Sequence, residues 1–234
     1  MVEDGSDEQL VALSEHLGFE LHPDRPIVEP SFWRHDYLRL FITHLAKHKE
    51  YAGTLQERSL SYGISGFVAH KDIEPTKEWQ DEILLGLRTA DALVALLHPG
   101  FHESKWTDQE IGVAMGRSIP VVSVSLGETP YGFIGRQQAV NGSNKDEGTI
   151  AAELAEILRL HKQTRKRMAI ATVRRFEESD SFAEAKANMG AMEKLEYWDN
   201  RLGSRVSKAV TENGQIEASW GVPERVEALI RKWK

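Results

Sequence analysis

From Leu38 onward, short apolar runs of strand length alternate with longer stretches in which apolar residues recur every three or four positions. Residues 38–43, 64–69, 92–97 and 119–124 read as strands. The third run is apolar throughout, as expected of a strand covered on both faces by helices. The stretches between them read as helices. One carries Tyr51, Leu55 and Leu60 and ends at Gly63. A second carries Trp79, Ile83 and Leu87; Pro75 disfavours helix before it, and Thr76 is a candidate N-cap. A third spans 101–117. A fourth, beginning near Thr149, sets Ile150, Leu154, Ile157 and Leu158 on one face. Such alternation calls for an α/β fold whose parallel sheet is joined by right-handed crossovers, and a flavodoxin-like order is the simplest fit.

The flanks follow other rules. Residues 1–36 hold a weakly amphipathic piece (Leu10, Leu13, Leu17), then Pro23, Pro26 and Pro30, which break regular structure. Past residue 162, Phe182, Ala185, Met189, Met192 and Leu195 repeat at helical spacing. Asn213-Gly214 interrupts the chain, and Pro223 fits the first turn of a last helix carrying Val226, Ile230 and Trp233. The expected division is an acidic extension over 1–36, an α/β domain over 37–162 and a helical C-terminal region over 163–234. A helical cap on the sheet is the plain reading of that region; an assembly or sensing module is the sharper one.

Charge changes the picture at two places. The net charge is −7, and residues 1–36 alone supply it, with nine acids against Arg25 and Arg34. The balance argues against nucleic acid as the main ligand. The exception is 162–175, where Lys162, Arg165, Lys166, Arg167, Arg174 and Arg175 meet no acid; a solvated helix face explains it most simply. Cysteine is absent, so disulfides and thiolate metal sites are excluded. The acidic start lacks a signal-peptide pattern and no apolar run is long enough to span a bilayer, so a cytoplasmic protein with no membrane partner is expected.

The chemistry concentrates in 101–117. On a helix Trp106, Glu110, Val113 and Arg117 share a face, placing a large aromatic ring one turn before a carboxylate. That helix follows the third strand, at the sheet edge where open α/β folds bind ligands. Thr107-x-x-Glu110 also fits a capping box, a purely structural role. No Gly-x-Gly-x-x-Gly or P-loop follows any strand, so the common dinucleotide and triphosphate fingerprints are missing. A phosphoacceptor receiver needs an aspartate after its third strand, where this chain has His98-Pro99. His98 and His102, separated by Pro99-Gly100, are not expected to share a helix face, and no metal is expected.

Three boxes, in order, resemble a Toll/interleukin-1 receptor (TIR) domain of the bacterial type. They are Leu40-Phe41-Ile42-Thr43-His44; Phe67-Val68-Ala69-His70-Lys71-Asp72-Ile73-Glu74-Pro75-Thr76-Lys77-Glu78-Trp79; and Leu96-Leu97-His98-Pro99-Gly100-Phe101 with Ser104-Lys105-Trp106 and Glu110. The likeness covers about 38–161. It implies a flavodoxin-like fold and cleavage of NAD⁺ at the nicotinamide–ribose bond, with Glu110 catalytic. It further implies substrate contacts from Phe41, Thr43, His44, Lys71, Asp72, Trp79, His98 and Trp106. NAD⁺ is then substrate, and no separate cofactor is expected. Three positions depart from the family's usual residues: Thr43 for Ser, Thr76 for Gly and His98 for Ser.

One carboxylate suits this chemistry. Glycosidases commonly need a second carboxyl to protonate a poor leaving group. Nicotinamide is already cationic in NAD⁺ and departs neutral, so the need is to stabilise the oxocarbenium-like ribose. Trp106 or Trp79 could stack on a flat ring, and Lys71 or Lys47 could meet the pyrophosphate. Family resemblance implies a role in anti-phage defence, self-association with other TIR domains, and an effector protein responding to a nucleotide product. The alternatives are a TIR scaffold without catalysis and a nucleoside deoxyribosyltransferase-like enzyme acting on free nucleosides.

Overall fold

The computed structural model describes residues 30–68 and 79–233. Five strands, β1 (Leu38–Thr43), β2 (Ile64–Phe67), β3 (Ala92–Leu97), β4 (Val121–Ser125) and β5 (Val140–Asn141), form one sheet in the order β2-β1-β3-β4-β5. Every neighbouring pair is parallel. This is the flavodoxin-like order, with its switch point between β1 and β3. Among them run α1 (Lys49–Leu60), α2 (Trp79–Thr89), α3 (Lys105–Gly116) and α4 (Glu147–Leu160).

The patterns set these elements, with corrections at their ends. Gly63 stops α1 in the left-handed conformation, at φ 76°, donating to the Leu60 carbonyl. The β4 ladder begins at Val121 because Pro120 has no N–H to give it; its carbonyl still accepts from Leu93 N–H at 2.9 Å. α4 starts two residues before Thr149, since Asp146 accepts from the Thr149 N–H at 2.7 Å and so caps the helix. The two-residue β5 is too short to leave a periodicity in the sequence.

The sheet has two buried faces. Leu38, Leu40, Ile42, Val94 and Leu96 meet Ala52 and Leu55 of α1 and Ile150, Leu154 and Leu158 of α4. Phe41, Leu93, Ala95 and Leu97 point the other way, toward Ile83 and Leu87 of α2 and Ile111 and Ala114 of α3. Side-chain alternation along each strand thus decides which helices a residue meets. Thr43 pairs with Ala95, so β3 runs two residues further than β1 and the carboxyl edge is stepped above Thr43. Trp33, N-terminal to the first strand, is also core: it packs against Phe67, and its indole N–H donates to Thr89 Oγ1 at 2.7 Å.

The C-terminal helices are α5 (Arg165–Glu177), α6 (Phe182–Met192), α7 (Asn200–Glu212), α8 (Gly214–Glu217) and α9 (Val222–Lys232). They enclose a third core of Phe176, Met189, Met192, Leu202, Val206, Val226 and neighbours. α5 joins this bundle to the sheet, because Met168 packs into the sheet core while Ala169 and Val173 face the bundle. Asn213 caps α8 through Gln215 N–H, and Pro223 sits in the first turn of α9. Part of the basic run is paired, as in Arg174–Glu178 at 2.8 Å. No helix among the described residues is long and apolar enough to cross a membrane.

Candidate active site at the carboxyl edge of the sheet

α3 is built from its cap inward. Gly100 turns the chain at φ 89° into a short 3-10 turn, Phe101–Glu103. Ser104 then caps α3, its hydroxyl accepting from Thr107 N–H at 3.4 Å. Thr107 is the third helical residue, and its own hydroxyl donates to the Phe101 carbonyl at 3.2 Å. The capping-box arrangement of Thr107 and Glu110 is therefore not formed, because Ser104 already ends the helix. The buried stripe is Thr107, Glu110, Ile111 and Ala114, at spacings of three, one and three. Glu110 occupies a position that packing would give to an apolar side chain.

The Glu110 carboxyl is 7% exposed, and its Oε2 accepts a short hydrogen bond from the Thr43 hydroxyl at the end of β1. Burial pushes its pKa up to about 7, while the Thr43 bond opposes that rise. A carboxyl so placed titrates in the physiological range, as groups at functional sites and in buried polar networks both do. Trp106, one turn earlier, is 43% exposed and flanks the stripe.

The loop after β4 supports the loop after β3. The Glu128 carboxylate accepts from Gly100 and Phe101 N–H at 2.9 and 3.1 Å, and from His102. Those bonds hold its pKa below the usual range. Tyr131 donates to Asp108 at 2.5 Å, and its ring lies against Phe101 and His102. The entrance to α3 is thus held from β4, the strand next to β3.

On the opposite face of the same edge lies a histidine cluster. His98 stacks on His48 with rings 3.7 Å apart and 12° from parallel, and Tyr51 meets it edge-on at 5.3 Å. His44 is buried nearby, its Nδ1 at 3.1 Å from the Ile42 carbonyl. Burial, then the neighbouring His48, pushes His98 down to about 4; burial also lowers His48 and raises Tyr51 to about 12. His98 Nδ1, His48 Nε2 and the Tyr51 hydroxyl have no hydrogen-bond partner among the described residues.

The family model for the TIR domain matches residues 40–158, just over half of the chain. The chain belongs to the TIR-domain family. Among solved structures, the TIR domain of the Toll-related receptor TRR-2 from Hydra magnipapillata is similar, at 15% identity and a TM-score of 0.42. That match covers 51% of this chain and 96% of the other. No curated protein matches the chain.

Within this TIR domain the structure brings Thr43 and Glu110 into contact and sets Trp106 beside them. It sends His44 and His98 to the other sheet face, with the α1 side chains. Phe41 is wholly buried against Phe67, with ring centroids 5.4 Å apart, and presents no surface to a ligand. Trp79 opens α2, while Lys71 and Asp72 lie outside the described residues. Lys47 donates to the Pro99 carbonyl at 3.2 Å. Sequence reasoning missed His48, Tyr51, Glu128 and Tyr131. None sits in a motif, and only the adjacency of β1, β3 and β4 shows their part in this edge.

Proposed function

We propose that this TIR domain cleaves NAD⁺ between nicotinamide and ribose, with Glu110 as the catalytic group. The observation that carries the reading is a buried carboxyl with a pKa near 7, held by Thr43 at the carboxyl edge beside a half-exposed Trp106. As the glycosidic bond breaks, its electron pair leaves with nicotinamide, which departs neutral. The ribose carbon gains positive charge. The ionised Glu110 stabilises that charge, and does so strongly because water is excluded around it. Trp106 offers a face for a flat ring. Water as acceptor gives ADP-ribose and a proton; an internal hydroxyl gives a cyclic isomer.

On this reading the protein is of the bacterial TIR type and acts in anti-phage defence, by depleting NAD⁺ or by supplying a nucleotide signal to an effector protein. Residues 37–162 form the catalytic unit, which works after self-association with other TIR domains. A cytoplasmic location fits an NAD⁺ substrate.

The test is nicotinamide release by concentrated wild-type protein beside Glu110→Gln. Loss of release in a folded variant supports the reading, and the ribose product names the acceptor. Equal release by both proteins, or none from either at any protein concentration, rejects it. A TIR scaffold is the second reading, favoured by the apolar surface of Phe133, which is 79% exposed. It predicts self-association that Glu110→Gln leaves intact, with no NAD⁺ loss.

A further inference from the structure

A groove of 370 Å³ runs between α4, α5 and α6, a size ordinary for small-molecule sites. It lies away from Glu110. Its walls include Tyr62, which precedes β2, and the C-terminal half of α4, so it opens at the amino edge of the sheet. The floor is low and apolar, formed by Ala155, Met168 and Ala191. Cations crowd the rim. Arg175, Lys186 and Lys194 line it, and Glu156, the acid in the lining among the described residues, is taken by Arg159 at 3.0 Å.

Arg175 is the informative member. Arg159, Arg174, Arg205 and Arg225 each hold a carboxylate. Arg175 makes no side-chain hydrogen bond or ion pair among the described residues, although it is half-buried. Burial lowers its pKa, and Glu184 offsets this only through space. Its stem is pinned over Gly63, where an added Cβ would stand 3.3 Å from Arg175 Cδ. An anion entering the groove would give this half-buried guanidinium the charged partner it lacks among the described residues. Lys186 and Lys194, both exposed, add charge, and their ammonium groups make no hydrogen bond or ion pair among the described residues.

We propose that this groove binds a phosphorylated small molecule with a flat apolar body, of the nucleoside monophosphate class. The phosphate meets Arg175 and the two lysines, a bidentate fit for the guanidinium. The ring lies on the alanine floor, where a bulkier side chain would fill the space. The ligand would bridge the sheet domain and the C-terminal helices, tying α4 to α6.

The experiment is titration calorimetry on the full chain with AMP, adenosine and inorganic pyrophosphate as probes. AMP is expected to bind once per chain, with adenosine and pyrophosphate each about tenfold weaker or more. Arg175→Met and the double change Lys186→Glu with Lys194→Glu should each weaken AMP by about tenfold or more, while Glu110→Gln should not. The lysine reversal touches no packed group, so thermal unfolding should match wild type and the result stays interpretable if Arg175→Met fails to fold. Absence of saturable AMP binding overturns the proposal. So does AMP affinity indifferent to the lysine reversal, or pyrophosphate binding as tightly as AMP.

Discussion

Thr43 and His44 leave the same strand end toward opposite faces of the sheet, and the two faces treat ionisable groups in opposite ways. On the α3 side burial lifts Glu110 to about 7; on the α1 side it drops His98 to about 4. The physics is identical, since a low-dielectric setting disfavours whichever form is charged. The consequences differ. His98 is neutral at physiological pH and can stack on an uncharged His48, whereas two imidazolium rings at 3.7 Å would repel. Glu110 instead lies at its own titration point, with Thr43 stabilising the ionised form. One face is a packed edge made of polar parts; the other holds a group ready to exchange charge.

The sharpest way to break the comparison is Glu110→Gln. Nicotinamide release should fall by roughly 10²–10³-fold or more, as when a key electrostatic group is removed. The same variant should be more stable than wild type in alkali. The folded pKa lies above that of the unfolded chain, so the folded state holds the extra proton between pH 4.5 and 7. Stability from this group is therefore fully present at low pH and lost as pH rises through 7. Denaturant unfolding should show the variant ahead by up to about 3 kcal/mol at pH 8, and nearly level at pH 5.

The histidine face should show the reverse sign. His98 has a folded pKa below the ordinary histidine value of 6.5, so the unfolded chain takes up the proton first as pH falls. Stability is present above pH 6.5 and declines toward pH 4, by about 3 kcal/mol. In His98→Phe, thermal unfolding should lose most of that acid dependence. If the acid slope persists, His98 is not the group that separates the faces.

Thr43→Val tests the hydrogen bond across the site. The rate with wild type should rise with pH around a midpoint near 7, because the proposed mechanism needs the ionised carboxylate. Removing the hydroxyl should move that midpoint upward by on the order of one pH unit. An unmoved midpoint would mean that Thr43 only packs. The smallest effect belongs to Glu128→Gln, which keeps the shape of the loop anchor but removes its charge. kcat should fall a few-fold through looser placement of α3, with the midpoint unchanged.

Much of the fold was legible because its signals are local. β1 and β3 stand where the apolar runs predicted them, since a strand's pattern repeats every two residues and a helix's every three to four. Glu110 was legible as a candidate through its place after Trp106 on one helix. Its buried stripe was not. The pattern grouped Glu110 with Trp106, Val113 and Arg117, whereas the fold buries it with Thr107, Ile111 and Ala114. Where Ser104 caps the helix and which side of α3 meets β1 depend on packing against the sheet.

What the sequence by itself determined is therefore the four longer strands and the helices between them, the family and the carboxylate to suspect. Only the tertiary structure decided that Thr43 meets Glu110 across 67 positions, that His48 stacks on His98, and that Glu128 holds the loop entering α3. It also decided that Phe41 is core and that Trp33 belongs to the core. The reason is that strand order and register bring distant residues together, and a one-residue change in alternation sends a side chain to the other face. Neighbours along the chain fix an element; neighbours across the sheet fix its chemistry.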